Sequence, residues 1–270
     1  MAAEQHAPPA RRRATPPAVR AMEYYLLAYR RTWRGSVVTS FLTPVLFLAA
    51  MGLGLGALVD QNGTADLGGV EYVVFIAPGL LAFAAMQTGV AESSWPVLGN
   101  LKWVRTYHAQ IASPLTPVDV AGGHFLFVTL RLLQGSVAFL LVMLLFGAAS
   151  SWTAVLAIPA AVLTGLAFAT PMTAFAVSRE SEQGFSAIFR FVVTPLFLFS
   201  GTFFPVTQLP PLLRGVAYVT PLWHGVALCR GLALGTIGAL AALGHVVVLG
   251  AFAGVGLALA FHCYRRKLTP

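Results

Sequence analysis

Residues that could do chemistry are sparse here, and their spacing is unhelpful to it. Six histidines (His6, His108, His124, His224, His245, His262) are scattered, with no His-x3-His or Cys-x2-Cys pair to hold a metal. They read as interface or packing residues. Cys229 and Cys263 fall toward opposite ends of the apolar segments described below and read as unpaired packing cysteines. Gly52, Gly54 and Gly56 lack the Lys-Ser/Thr that completes a phosphate-binding loop. With Gly250 and Gly254 they suit close helix packing through small residues. Ser200-Gly201, with His245 in the next apolar run, invites a serine-hydrolase reading. Intramembrane enzymes of that kind place a glycine two residues before the serine, where Leu198 stands. A kink and a hydroxyl bonded to backbone explain the pair better. No catalytic group, metal or cofactor is therefore expected on this chain, and any ATP hydrolysis must come from another.

The elements that would position such residues are apolar. Of 270 residues, 57% are hydrophobic and 10% charged, with a mean hydropathy of +0.78. A soluble domain carries about 25% charged residues. The apolar residues fall in runs of about 20, and ~1.5 Å per residue takes such a helix across a ~30 Å hydrocarbon core. A soluble fold is excluded. Net charge is +8, and its placement is informative: Arg11, Arg12, Arg13, Arg20, Arg30, Arg31 and Arg34 precede the first run, while Arg265, Arg266 and Lys267 follow the last. A nucleic-acid binder would spread basic residues over a folded polar surface; basic flanks instead mark the cytoplasmic side of a membrane.

Residues 1–18, rich in Pro, Ala and Arg, are expected to be a disordered cytoplasmic tail. From 19 to 34, Met22, Leu26, Tyr29 and Trp33 recur at helical spacing against Arg20, Glu23, Arg30, Arg31 and Arg34, the pattern of an amphipathic interfacial helix. The bland alternative is an N-terminal extension of the first span. Six spans are expected, at about 36–59, 70–91, 120–147, 152–177, 185–204 and 237–262, within a transmembrane domain of residues 19–265. An even number places both termini together, in the cytoplasm. Asp60, Asp66 and Glu71 then lie outside, whereas Lys102 and Arg105, and later Arg179, Glu180, Glu182 and Arg190, lie inside. No apolar core followed by a small-residue cleavage site occupies the first 35 residues, so the first span is expected to direct insertion.

Three places depart from a plain six-span pattern. Only 14 residues separate Arg190 from Pro205, about 21 Å of helix and short of a crossing. Either Arg190 snorkels and the span begins near Phe185, or the segment enters tilted. Pro205, Pro210, Pro211 and Pro221 then break the chain into two short helices, about 209–218 and 223–233, expected as a re-entrant hairpin at the outer face. Arg131 sits mid-bilayer, as a pathway or ion-pair residue, if the third core begins at Gly122; it sits at the inner interface if that core runs from Leu132 to Ser150. Residues 95–117, with Trp95, Lys102, Trp103, Arg105 and Tyr107, are expected to form a short helix on the inner surface.

Several stretches resemble one family, the type-2 ATP-binding-cassette (ABC-2) export permeases, in the branch of daunorubicin-resistance and nodulation-factor (lipooligosaccharide) exporters. They are Ala77-Pro78-Gly79-Leu80-Leu81, Ala112-Ser113-Pro114-Leu115 with Thr116-Pro117, and Phe199-Ser200-Gly201-Thr202-Phe203-Phe204-Pro205. Leu209-Pro210-Pro211, Thr220-Pro221-Leu222-Trp223-His224-Gly225 and Arg230-Gly231 complete the set, so that the likeness covers about residues 20–265. The resemblance implies an all-helical permease in the cell membrane, paired with a second permease copy or homologue and with two cytoplasmic ATPase subunits that bind ATP and Mg2+. It implies ATPase docking on residues 95–117 (Trp95, Lys102, Trp103, Arg105, Tyr107) and on the N-terminal helix (Arg30, Trp33). It further implies a substrate path along the second and fifth spans, where Phe83, Met86, Phe197, Phe199 and Phe203 stand. Phenylalanine outnumbers tryptophan and tyrosine (19 Phe, 5 Trp, 7 Tyr), which favours lipophilic or amphipathic cargo, as in multidrug resistance. A glycolipid, lipooligosaccharide or polysaccharide exporter is the alternative, and a non-transporting assembly factor stands further off.

Overall fold

The computed structural model describes residues 15–61, 67 and 69–269. Most of the tail assigned to residues 1–18, with His6 and Arg11 to Arg13, and Asp66 of the first loop lie outside the described residues. All regular structure among the described residues is helical. Twelve α-helices follow in order: α1 (Pro17–Ala49), α2 (Ala57–Gln61), α3 (Tyr72–Glu92), α4 (Trp95–Lys102), α5 (Thr106–Ile111), α6 (Pro117–Leu145), α7 (Ala157–Ser178), α8 (Gln183–Ile188), α9 (Thr194–Phe199), α10 (Pro211–Val219), α11 (Pro221–Leu234) and α12 (Ala239–Leu268). Among the described residues, five segments are long and apolar enough to cross a membrane: Pro17–Gln61, Tyr72–Lys102, Pro117–Leu145, Trp152–Ser178 and Ala239–Leu268. A sixth, Gln183–Phe199, is shorter.

Burial orders these helices. In α3, 67% of the most apolar window is covered by the rest of the chain, against 18% in the first segment and 17% in α12. The middle of the bundle is therefore α3 with α7, while α1 and α12 lie at its edge. Small residues set the crossings, as the glycine-rich sequence led one to expect. Of the glycines singled out, a Cβ on Gly52 would come within 3.0 Å of Val73 of α3, but the tightest contacts fall at other positions. A Cβ on Gly89 would come within 2.4 Å of the Gly165 carbonyl oxygen, and one on Gly165 within 2.4 Å of Leu132 and 2.9 Å of the Ala85 oxygen. The backbones of α3 and α7 meet there. Gly256 brings α12 equally close to Thr170 and Pro171 of α7, and the Thr170 hydroxyl donates to the Ala253 carbonyl across that contact at 3.0 Å. Gly250 and Gly254 face open space instead, because they lie on the outward side of α12.

No helix break falls between residues 34 and 36: α1 runs unbroken from Pro17 to Ala49 and continues through a π-helical stretch, Ala50–Gly56, into α2. Helix α6 opens at Thr116, whose hydroxyl accepts from the Asp119 amide at 3.3 Å while Asp119 accepts from the Thr116 amide at 2.9 Å. This capping box, with Pro117 in the first turn, is the physical content of the Thr116-Pro117 signal.

The segment after Ser178 solves its proline differently. Pro195 has no N–H to give and its ring crowds the preceding turn. A π-helical turn, Phe189–Val193, widens the ladder just before it, and the Thr194 hydroxyl caps the Phe189 carbonyl at 2.9 Å. Helicity is thereby kept from Gln183 to Phe199. Phe185 packs edge-on to Trp95 at 5.4 Å beside the end of α3, whereas the Gly201 carbonyl accepts from Arg230 at 2.8 Å. Arg230 in turn holds the Phe75 carbonyl at the start of α3. The short segment thus traverses the same length of bundle as α3, with Arg190 exposed along it.

Candidate functional site

Two ends of the bundle and one cavity between them gather the functional candidates. At the end where α3 stops, two short helices, α4 and α5, replace the single surface helix expected from residues 95–117. Arg105 joins them in the left-handed conformation (φ 56°). Tyr107 is fully buried, and Tyr25 of α1 donates to its hydroxyl at 3.1 Å. The Tyr264 ring of α12 lies 5.4 Å from the Tyr107 ring. Burial raises the Tyr107 pKa, so this phenol stays protonated. Three helices distant in sequence are joined there, and the beginning of α1 and the end of α12 share one end of the molecule.

A second tie lies nearby on the surface. Glu180, between α7 and α8, accepts from both Lys102 of α4 and Lys267 of α12. The two ammonium groups, Lys102 foremost, hold its carboxyl at about 2. Trp95 packs on Phe185 and Phe189, while Trp103 and Arg105 are exposed. Arg30 and Trp33 are exposed on α1, and Arg34 lies over the Trp33 ring. Of the docking candidates, Trp103, Arg105, Arg30 and Trp33 therefore face outward, and Tyr107 is internal.

The cavity, of about 490 Å3, lies between α1, α3, α6 and α9. Phe83 of α3 and Phe197 of α9 stack across it with ring centroids 3.6 Å apart, and Phe203 meets Phe197 edge-on at 4.7 Å. Met86 is buried away from its wall and Phe199 is partly exposed. Arg131 is on the wall. It pairs with Glu92 (Nε–Oε1 3.0 Å) and donates through Nη1 to Tyr29 Oη at 3.2 Å, to Gln134 Oε1 at 3.3 Å and to Ser36. Glu92 is the last residue of α3, so Arg131 stands level with the end of that helix. A second cavity of about 330 Å3, lined by Tyr24, Tyr25, Tyr29, Asn100 and Glu92, adjoins the other side of Arg131.

At the opposite end, α10 and α11 occupy the ranges where two short helices were expected. Pro211 and Pro221 fill their first positions, where a missing N–H is harmless. Pro205 and Pro210 cap the 3-10 turn and α10 in extended conformation. Gly201 has φ +82°, a conformation that favours glycine. Arg230 donates to three carbonyls, of Phe75, Gly201 and Thr202, at 2.8 to 3.2 Å, with its guanidinium over the Phe75 ring. Ser200 shares its hydroxyl with Thr202 at 2.8 Å and donates to the Phe197 carbonyl. His245 is occupied with His224, Nδ1 to Nδ1 at 2.8 Å. Among the described residues, then, the serine and histidine of the hydrolase reading do not meet.

Sequence reasoning missed the His224–His245 pair and the meeting of Tyr25, Tyr107 and Tyr264. A lone sequence carries no signal for contacts between residues so far apart. Glu180 was placed on the inner side without its two lysine partners.

An all-helical bundle with five membrane-length apolar segments among the described residues and an aromatic-lined cavity inside it has the build of a multi-pass membrane protein. A family model described as ABC-2 type transporter matches residues 21–234. Nodulation protein J of Sinorhizobium fredii is 31% identical over 246 residues, covering 90% of each chain. Nodulation protein J of Rhizobium leguminosarum bv. viciae is 30% identical over 243 residues, covering 90% of this chain and 91% of that one. The inner membrane transport permease YadH of Escherichia coli is 25% identical over 206 residues, 74% of this chain and 75% of that one. The chain belongs to the ABC-2 type transporter family, in the branch its motifs resembled.

Proposed function

We propose that this protein is the membrane-embedded subunit of an exporter in the cell membrane, driven by ATP hydrolysed on a separate ATPase. In this reading six segments cross the bilayer, with Gln183–Phe199 as the fifth. Helices α10 and α11 form a re-entrant hairpin at the outer face, and both termini are cytoplasmic. The first turns of α1 lie in the inner headgroup region. Two ATPase subunits, carrying ATP and Mg2+, dock on α4, α5 and the exposed Arg30 and Trp33, and a second permease copy completes the path. The cargo is lipophilic or amphipathic, moved out of the cytoplasm or inner leaflet.

One observation carries this reading: the cavity between α1, α3, α6 and α9, where two phenylalanines meet from the helices expected to line a path. The test is purification of the tagged chain from its own membrane. An ATPase with a phosphate-binding loop should co-purify, and ATP hydrolysis in vesicles should rise with lipophilic substrates. Phe197→Ala should blunt that rise while leaving basal turnover intact. Recovery of the chain with no ATPase would sink the reading. A glycolipid or lipooligosaccharide cargo is the second reading, favoured by the tyrosine-lined neighbouring cavity, since sugars stack on aromatic faces, and by relatives named nodulation protein J.

A further inference from the structure

Among the described residues lining the larger cavity, Arg131 alone is ionisable. The rest of the wall is neutral: hydroxyl and amide groups such as Thr39, Ser40 and Gln87, and the rings of Phe83 and Phe197. Glu92, which neutralises Arg131, belongs to the wall of the second cavity and not of the first. The larger cavity therefore meets the cation of this ion pair, and the smaller one meets both charges. The contacts to Glu92, Tyr29, Ser36 and Gln134 engage Nε and Nη1, whereas a guanidinium offers five N–H donors in a fork that matches an oxyanion. A volume of about 490 Å3 lies in the range that accommodates drug-sized ligands.

We propose that this cavity binds an anionic amphipath. Its carboxylate, sulfonate or phosphate headgroup takes Arg131, and its apolar body lies against Phe83 and Phe197. The headgroup competes with the Glu92 carboxylate for the same guanidinium, so Glu92 sets how readily cargo is accepted. This assignment rests on the permease reading and adds a charge to its substrate. A single-chain solute and an anionic phospholipid share the required chemistry.

The test uses the full chain in nanodiscs of zwitterionic lipid, without any ATPase. Anthroyloxy-labelled stearic acid and its methyl ester are titrated by fluorescence. The acid should bind about ten-fold or more tightly than the ester, the scale of one charge-assisted hydrogen-bonded contact. Arg131→Gln should bring the acid down to the level of the ester and leave the ester unchanged. Glu92→Gln should tighten acid binding several-fold by removing the competitor. Displacement of the acid by phosphatidylglycerol but not by phosphatidylcholine supports the proposal with a lipid as source; displacement by neither supports it with a single-chain solute. Equal binding of acid and ester by the unmodified chain overturns it, as does an Arg131→Gln chain that loses both alike. If Arg131→Gln does not fold, the Glu92→Gln result decides, and unchanged or weaker acid binding overturns the proposal. Because no ATPase takes part, a missing ATPase partner would remove the permease reading and leave this binding result standing.

Discussion

Single side chains tie this molecule together at places where the helices alone would not. Glu180 links α4 to α12 through two lysines at an exposed site, where salt screens strongly. Its carboxyl titrates at about 2, below the ordinary value of 4.5, because of those lysines. A depressed carboxyl pKa contributes stability that is complete above the unfolded-state value and lost as pH falls through the folded-state one. The expected outcome is a Glu180 contribution that is constant at neutral pH and declines from about pH 4.5 toward 2. Thermal unfolding of Glu180→Gln beside the unmodified chain across that range checks it, and the gap between the two should narrow in high salt. Tyr107→Phe keeps the ring and removes the hydroxyl that accepts from Tyr25. A loss of about 1 kcal/mol is expected from one buried hydrogen bond, measured by denaturant or thermal unfolding in detergent.

Elements were legible in the sequence to very different degrees. Long apolar runs announce α3, α6, α7 and α12, since each must exceed the hydrocarbon thickness. Prolines announce α10 and α11, because a residue that cannot donate sits most easily in a helix's first turn, although Pro44, Pro78 and Pro171 stand inside α1, α3 and α7. The extent of α1 was not decided by the sequence: the change from amphipathic to uniformly apolar near Gly35 resembles a boundary, yet neither Gly35 nor Ser36 stops a helix by itself, and the unbroken helix matches the alternative of an extended first span. Nor did glycine content identify which glycines pack. Gly165 is closely surrounded on two sides whereas Gly250 faces open space, and only the rotation of each helix decides that. Gly165→Leu should therefore be severely destabilising, beyond the ~1–3 kcal/mol of ordinary overpacking, because backbone as well as side chain must move. Gly250→Ala should be neutral or stabilising by up to about 1 kcal/mol through helix propensity. Melting of the two variants in the same detergent compares them directly.

At the scale of the whole molecule, one helix touches both places where function has been argued. Tyr25 near its start is bonded to Tyr107 of α5, and Thr39, Ser40 and Thr43 further along form part of the cavity wall. From Tyr25 to Thr43 is about 27 Å at ~1.5 Å per residue, with no interruption of helical structure between them. In the proposed transporter such a rod would act as a lever: movement imposed on Tyr107 by a soluble motor would arrive at the chamber as movement, where a hinge at Gly35 would dissipate it as bending. Weakening the shaft midway should leave both of its ends folded and yet disengage them. Arg34→Gly, which sets two glycines side by side, is expected to preserve probe binding and basal ATP turnover while abolishing the response of one to the other.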